Sequence, residues 1–351
     1  MSAATILRPD SVAGLAAMLR DRPGHLRVCG SGSRQTRLPA ADAAHRLRLD
    51  GLATIERLDA QDQTCTVQCG VAREHLDAAL AAVGLELPCP GGGTLGGLFA
   101  SDPIGAATPG GASPRTLLLG MDAVLADGTE FRSGARVVKS VAGFDVHRLL
   151  VGSEGRLFVA TRLHLRCKPK PRTTSWFCRA GLDPAAAFAL LQQLRPLPAG
   201  LHALQLERAP NGACAVRGCL AGRASFVASC QRRLRLPEST MQWRDQLEPV
   251  SPATPNAALL AGVLLGSALP QVLATLPAHA ALLWHGGGRC EVSVGHDGIQ
   301  SVLASLQAVG GQAVIVHGHA SQRGKGTPVD PGQQQLTAGL KQALDPHGIL
   351  V

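Results

Sequence analysis

Three glycine-rich stretches carry the residue types best suited to holding an anionic or flat ligand. The first, Val28-Cys29-Gly30-Ser31-Gly32-Ser33-Arg34-Gln35, puts small residues at the end of an apolar run. With no side chains in the way, several backbone N–H groups can point at one anion. The hydroxyls of Ser31 and Ser33 add donors and Arg34 adds charge, a set that suits a pyrophosphate. The second, Pro88-Cys89-Pro90-Gly91-Gly92-Gly93-Thr94-Leu95-Gly96-Gly97, opens a helix and again offers exposed N–H groups. The third runs over 136–161 and contains Val141-Ala142-Gly143-Phe144-Asp145 and Gly152-Ser153-Glu154-Gly155. Its glycines let the backbone approach a flat aromatic ligand closely.

Other chemistries are weaker. Gly30-x-Gly32 after a strand, with Asp50 twenty residues on, imitates a Rossmann fingerprint. Gln35 stands where the third glycine belongs, and Pro39 cuts short any helix beneath the phosphates. The stretch Gly318–Lys325 imitates a phosphate loop but has five residues between its glycines and Gly326 where Ser or Thr belongs. His317 and His319 alternate on an expected strand and share a face, yet no third ligand lies near in sequence, so no metal site is assigned. The ten cysteines are scattered, without a CxxC, and no run of them could hold an iron–sulfur cluster. Cys65/Cys69 and Cys214/Cys219 read as buried small hydrophobes. No acid–base set stands out, so the catalytic residues stay unassigned.

The elements that must position these loops follow from capping and periodicity. Asp10 or Ser11 caps a helix with Val12, Leu15, Met18 and Leu19 on one face. Strands are expected at Leu26–Cys29, Leu47–Leu49, Ile55–Leu58 and Thr64–Gln68, and a helix from Arg73 to Val83 with His75 on its surface. Met121–Ala126 and Thr129–Arg132 flank a hairpin turn at Asp127-Gly128, and Leu157–Thr161 and Leu163–Arg166 read as two further strands. Lys168-Pro169-Lys170-Pro171-Arg172 reads as a solvated linker, so a domain boundary is placed near Arg172. Beyond it, helices over Pro184–Leu194, Ser225–Leu234, Gln300–Val309 and Gln335–Leu344 alternate with strands near Leu201–Leu206, Arg289–Val294 and Ala313–His317.

A chain of 351 residues suits two domains. The formal charge of +9 points to an anionic partner, surface or ligand. Nucleic acid is disfavoured because the chain has no Tyr, 7 Phe and 3 Trp, too few platforms for stacking bases. The N-terminus has no charged segment followed by an apolar one, and Pro270 and Pro277 interrupt the most apolar stretch, Ala257 to Leu283. The expected location is the cytoplasm, with membrane contact at most peripheral.

Taken together, the three glycine-rich segments, "TLGG" (94–97), "VLADG" (124–128), "VVKSVAGFD…LLVGSEG" (137–155) and the proline-rich exit resemble the FAD domain of the vanillyl-alcohol-oxidase, or PCMH, superfamily. "KSVAGFDVHRLLVGSEG" is most similar to the E-subunit family of glycolate oxidases, and "LLWHGGGRC" (282–290), "VHGHAS" (316–321) and "LKQALDPHGIL" (340–350) agree. The resemblance implies an α+β chain: a two-subdomain PCMH-type FAD-binding domain over 1–172 and a small α+β cap over 173–351. It implies FAD bound non-covalently and extended, with Gly30, Ser31, Gly32, Ser33 and Arg34 at the pyrophosphate. Pro90, Thr94, Gly96, Gly97 and Ser101 would line the flavin–ribityl side. Gly143, Asp145, Gly152, Ser153 and Gly155 would serve the adenosine side. It further implies a catalytic flavin subunit and an iron–sulfur subunit as partners, and glycolate or D-lactate as substrate. The chain departs from the family at Ile104-Gly105-Ala106-Ala107-Thr108, Thr116, Phe144, Arg156 and Phe158. Two alternatives therefore stay open: a stand-alone FAD-dependent 2-hydroxy-acid dehydrogenase, and a structural subunit with a decayed flavin site.

Overall fold

The computed structural model describes residues 5–21, 24–32, 45–89, 91–101, 113–135, 145–197, 200–237, 257–319, 321–322 and 324–351. Strands β1 (Ile6–Leu7), β2 (Leu26–Cys29) and β3 (His45–Arg48) form a parallel sheet in the order β1-β3-β2. Helix α1 (Val12–Arg20) starts where the Ser11 side chain accepts from the Gly14 N–H, which satisfies one free donor of the first turn. It buries Leu15, Ala16 and Leu19.

The end of the chain returns to this sheet. Leu26 N–H donates to Ile349 at 2.7 Å and Val351 N–H donates to Leu26 at 2.9 Å. The buried Asp345 carboxylate accepts from the Ile349 and Leu350 N–H groups and from Lys341 Nζ. Ile349 and Leu350 thereby join the same buried cluster as Leu15, Leu76 and Phe99.

A five-stranded antiparallel sheet runs β4 (Ile55–Asp59), β5 (Thr64–Gln68), β9 (Val159–Arg166), β7 (Leu118–Val124) and β8 (Glu130–Gly134), in that spatial order. The Asp127-Gly128 turn joins β7 and β8 as expected. Gly128 sits at φ +82°, and a Cβ there would fall 2.4 Å from the Ala16 carbonyl, so the turn rests directly on α1. Where the sequence reads as two strands, 157–161 and 163–166, β9 is continuous. Arg162, which looks like a break, is instead the centre of the sheet's charge network. Its Nε and Nη2 hold both oxygens of Glu56 at 2.6 and 2.7 Å, and its Nη1 bonds Asp122. The 168–172 stretch is also more ordered than a linker: β10 (Lys168–Pro169) pairs with β6 (Leu85–Glu86). Thr116, a departure from the family pattern, closes a capping box with Ser113 at helix α4 (Pro114–Leu117).

The second unit is a seven-stranded antiparallel sheet. Its strands are β11 (Thr173–Leu182), β12 (Leu201–Arg208), β13 (Cys214–Gly222), β14 (Ala257–Val263), β15 (Ala281–His285), β16 (Arg289–Gly295) and β17 (Gln312–His317). Their spatial order is β11-β13-β12-β15-β16-β14-β17. Alternation along each strand separates two faces. One buries Leu204, Leu206, Val216, Leu260, Leu282, Val292 and Ile315 against α5 (Pro184–Leu194), α6 (Ala224–Leu234), α7 (Leu269–Thr275) and α8 (Ile299–Gln307). The other presents Gln205, Leu259, Ala261, Leu283, Glu291, Ser293 and Val316, which are also buried. β17 ends at His317, so His319 is not on the strand; both histidines are exposed. Among the described residues no group of His, Cys, Asp and Glu could hold a metal ion, and no helix is long and apolar enough to cross a membrane.

Candidate functional site

A cavity of about 360 Å³ lies between the first unit and the second face of the large sheet. Its floor is the segment Val28–Gly32, where β2 runs out into the first glycine-rich loop. Gly30 lies flush against Thr94: a Cβ on Gly30 would stand 1.8 Å from Thr94 Oγ1. Gly32 has φ +82°, and among the described residues no atom lies within 4 Å of the position of a Cβ there.

One wall is the start of helix α3 (Leu95–Ser101). The bridge between Ala72 and Thr94, and bonds from Leu95 N–H to Val71 and Gly96 N–H to Cys69, hold it in place. Gly96 allows that approach, since a Cβ would meet the Cys69 Cβ at 2.8 Å. Gly97, Ala100 and Ser101 continue the wall. Cys69 also lines the cavity, but burial pushes its thiol well up, which makes it inert as a nucleophile.

The facing wall is Leu150, Glu154, Gly155, Phe158 and Ala160. Three of the four residues 152–155 have left-handed backbone, at φ +86° for Gly152, +55° for Glu154 and +75° for Gly155. This loop hangs on the end of α3: Gly152 N–H donates to Phe99 and Glu154 N–H to Ala100. Arg115 holds its other end by donating to the carbonyls of Arg148 and Val151. The roof comes from the second unit: Ala261, Gly262 and Val263 of β14, Val314 and Val316 of β17, and Arg289 at the start of β16. At Gly262 the backbones of β14 and β17 come so close that a Cβ would lie 2.0 Å from the Gln312 carbonyl.

Of the residues singled out from sequence, Gly30, Ser31, Gly32, Thr94, Gly96, Gly97, Ser101 and Gly155 meet at this one cavity. Gly152 and Ser153 shape the adjoining loop without lining it, and the Ser153 hydroxyl is buried with no partner among the described residues. Asp145 does not line the cavity and is paired to Arg148 at 2.9 Å. Ser33, Arg34, Pro90 and Gly143 lie outside the described residues, as do 104–108 and Phe144. Asp50, the would-be ribose ligand of a Rossmann site, is paired with Arg48 at 3.1 Å.

The whole roof escapes a reading of the sequence. Apart from Arg289 its residues are small and apolar, and only strand alternation marks 261 and 263, or 314 and 316, as sharing a face. Phe158, a departure from the family, lines the cavity and is locked edge-on against Phe131 with ring centres 5.5 Å apart. Among the described residues, Glu154 and Arg289 are the two charged groups lining the cavity.

Beside Arg289, across the hairpin turn 286–288, stands the buried His285, whose Nδ1 lies 3.3 Å from the Gln205 amide nitrogen. Burial, with a smaller push from Arg289, lowers its pKa to about 4. In the unfolded chain a histidine titrates near 6.5, so on acidification the unfolded state takes up the proton first. Stability should therefore hold above about pH 6.5 and fall as the pH drops toward about 4, losing about 2 kcal/mol between pH 7 and pH 5. Urea unfolding at the two pH values checks this, and His285→Gln should remove that part of the pH dependence.

With this geometry in place, comparisons with known proteins assign the family. A family model described as an FAD binding domain matches residues 3–134. Glycolate oxidase subunit GlcE of Escherichia coli (strain K12) is 30% identical over 303 residues, covering 84% of this chain and 82% of that protein. Glycolate oxidase subunit GlcD of Bacillus subtilis (strain 168) is 34% identical over 123 residues, or 34% of this chain and 26% of that protein. The D-lactate dehydrogenase of Archaeoglobus fulgidus is 29% identical over 175 residues, 48% of this chain and 39% of that protein. Among solved structures, an alkyldihydroxyacetonephosphate synthase superposes with a TM-score of 0.69 over 98% of this chain and 75% of that one, at 15% identity, a likeness of fold. The chain thus has the expected α+β PCMH-type fold, and it belongs to the GlcE-like family of FAD-binding subunits among the FAD-linked 2-hydroxy-acid oxidoreductases.

Proposed function

We propose that this chain is the FAD-binding subunit of a glycolate oxidase complex that oxidises glycolate, D-lactate or a similarly small 2-hydroxy acid to the 2-oxo acid. The observation that carries the reading is the convergence of the Gly30–Gly32 loop, the start of α3 and the roof strands β14 and β17 on one cavity. The residues there fit an extended dinucleotide. Among the described residues, Gly30 has no room for a side chain, nothing stands against the Cβ position of Gly32, and the Ser153 hydroxyl is buried without a partner beside the cavity loop.

In this reading residues 1–172 form the FAD domain and 173–351 the cap, and binding is non-covalent. Gly30, Ser31 and Gly32, continued by Ser33 and Arg34, hold the pyrophosphate through backbone N–H groups and hydroxyls. Pro90, Thr94, Gly96, Gly97 and Ser101 bound the flavin–ribityl side, while Gly143, Asp145, Gly152, Ser153 and Gly155 contact the adenosine side or hold the loop that does. Ala261, Val263, Val314 and Val316 exclude water from the reacting side, which strengthens electrostatic contacts inside. When bound, FAD supplies the two-electron acceptor for the hydroxy acid.

The subunit names of the GlcE and GlcD relatives support a multi-subunit complex, and in this reading the partners are a catalytic flavin subunit and an iron–sulfur subunit. We place the complex in the cytoplasm, touching the inner face of the membrane at most peripherally.

The test is the visible spectrum of the purified full chain before and after denaturation. Released FAD is the expected result, followed by 2-hydroxy-acid oxidation on adding the partner subunits. Turnover by the chain alone would favour a stand-alone dehydrogenase. A colourless protein that takes up no added FAD would overturn the reading and leave a structural subunit.

A further inference from the structure

Glu154 and Arg289 line the same cavity with opposite charge, one from each unit of the chain. Arg289 opens β16 and pairs across to Val263, so it stands at the roof edge beside Val263 and Val314. Glu154 sits on the opposite wall. Its backbone is left-handed at φ +55°, a conformation that side-chain-bearing residues rarely adopt. The Ala100 carbonyl pins that backbone through the Glu154 N–H at 2.9 Å. A turn of this shape would form more easily with glycine, as at Gly152 and Gly155 on either side. An acidic residue, exposed to solvent, therefore holds a position on the cavity wall against a backbone preference, which calls for a reason beyond the turn.

The surroundings supply one. Around the Glu154 carboxyl, burial favours the neutral acid, while the charges of Arg156, Arg289 and Arg27 favour the carboxylate. Arg27 lies on β2, one residue before Val28, on which Gly155 packs, so this charge cluster borders the Gly30–Gly32 loop. A negative side chain beside a cavity for an anionic ligand costs affinity through like-charge repulsion. That cost is tolerable when the carboxylate and the ligand share one cation in turn.

We propose that Glu154 is the internal counter-anion of Arg289, and that an anionic oxygen group of the ligand competes with it for this guanidinium. The inference rests on the flavin reading above and assigns Arg289 as a ligand-binding residue contributed by the cap. Two sources carry the required chemistry: the pyrophosphate of FAD and the carboxylate of the 2-hydroxy acid.

The experiment uses the full chain and measures binding, independent of turnover. FAD and phosphate-free riboflavin are titrated by flavin fluorescence, and glyoxylate is titrated into the FAD-loaded protein by the shift in flavin absorbance. Arg289→Met should weaken the anionic ligand about tenfold or more, Arg289→Lys should restore part of the loss, and riboflavin should be unaffected. Glu154→Gln, which removes the competitor, should tighten the same ligand about threefold or more, a gain that misfolding cannot imitate. If FAD responds, the anion is the pyrophosphate; if FAD is unmoved and glyoxylate responds, it is the carboxylate. The inference is overturned if Arg289→Met changes neither ligand by more than about twofold, or if Glu154→Gln fails to tighten either. A wild-type chain that binds no FAD sinks the flavin reading and this inference together. A wild-type chain that binds FAD, with variants that do not respond, sinks the inference alone.

Discussion

Gly30→Ala should raise the Kd for FAD by about a hundredfold or more, a loss of about 2.7 kcal/mol. The added Cβ would stand 1.8 Å from Thr94 Oγ1, 3.0 Å from Thr94 Cβ and 3.2 Å from its methyl group. The rotamer that turns the threonine hydrogen toward Gly30 clears the closest contact, but it moves Oγ1 to the present methyl position, leaves Cβ at 3.0 Å and gives up the bond from Gly97 N–H to Oγ1. Nor can Thr94 retreat: it bridges to Ala72, and its carbonyl accepts from Leu98 N–H at 2.8 Å to begin α3. The loop must therefore lift away from the cavity wall formed by the start of α3, where the proposed FAD site lies. Replacing Thr94 as well, in Gly30→Ala/Thr94→Ala, removes the two outer atoms and should recover part of the affinity, the signature of a direct steric coupling. Flavin fluorescence titration measures both variants, with circular dichroism to show that they are folded. Wild-type affinity in Gly30→Ala would mean that FAD does not depend on this loop.

Arg162→Leu should produce the largest loss of stability in the first unit, about 3 kcal/mol by urea unfolding. Arg162 binds Glu56 through two nitrogens and Asp122 through a third, tying β4, β9 and β7 together across the sheet. The side chains involved are 24% exposed for Arg162 and Glu56 and 14% for Asp122. Removing the cation strands Glu56 and leaves Asp122 with only the exposed Arg132 at 3.8 Å and His164 at 3.6 Å, and the cost of two poorly compensated carboxylates in a partly dry place outweighs whatever the pairs contributed. Adding Glu56→Gln and Asp122→Asn to Arg162→Leu should restore part of the stability, because the stranded charges are then gone. If the single variant unfolds at the wild-type midpoint, the network is no more than surface decoration.

Local signals were legible where one residue decides the structure. Ser11 caps α1, Pro184 follows the Asp183 cap at the start of α5, and Asp127-Gly128 turns between β7 and β8. Each depends on a side chain meeting the backbone within a few residues, so no distant part of the chain can override it. Strands β11, β13, β14 and β15 were not legible. In β13 all but the last residue are buried, because helices cover one face of the sheet and the other face is covered too. Polar and apolar residues then cease to alternate, and the period that would identify a strand disappears. The 257–283 stretch hides β14, α7 and the start of β15 in one apolar run for the same reason.

The glycine-rich loops that line the cavity were legible in the sequence alone, since bare backbone near an anion or a flat ring requires glycine at fixed spacing whatever surrounds it. The sequence also determined the family and the cofactor that go with those loops. Only the tertiary structure decided that Asp345–Val351 closes the first unit against β2, more than three hundred residues away in the chain. It also decided which face of the large sheet became the roof. Alternation fixes which residues share a face, but the helices chose the more apolar one, and Arg289 was left on the other, opposite Glu154.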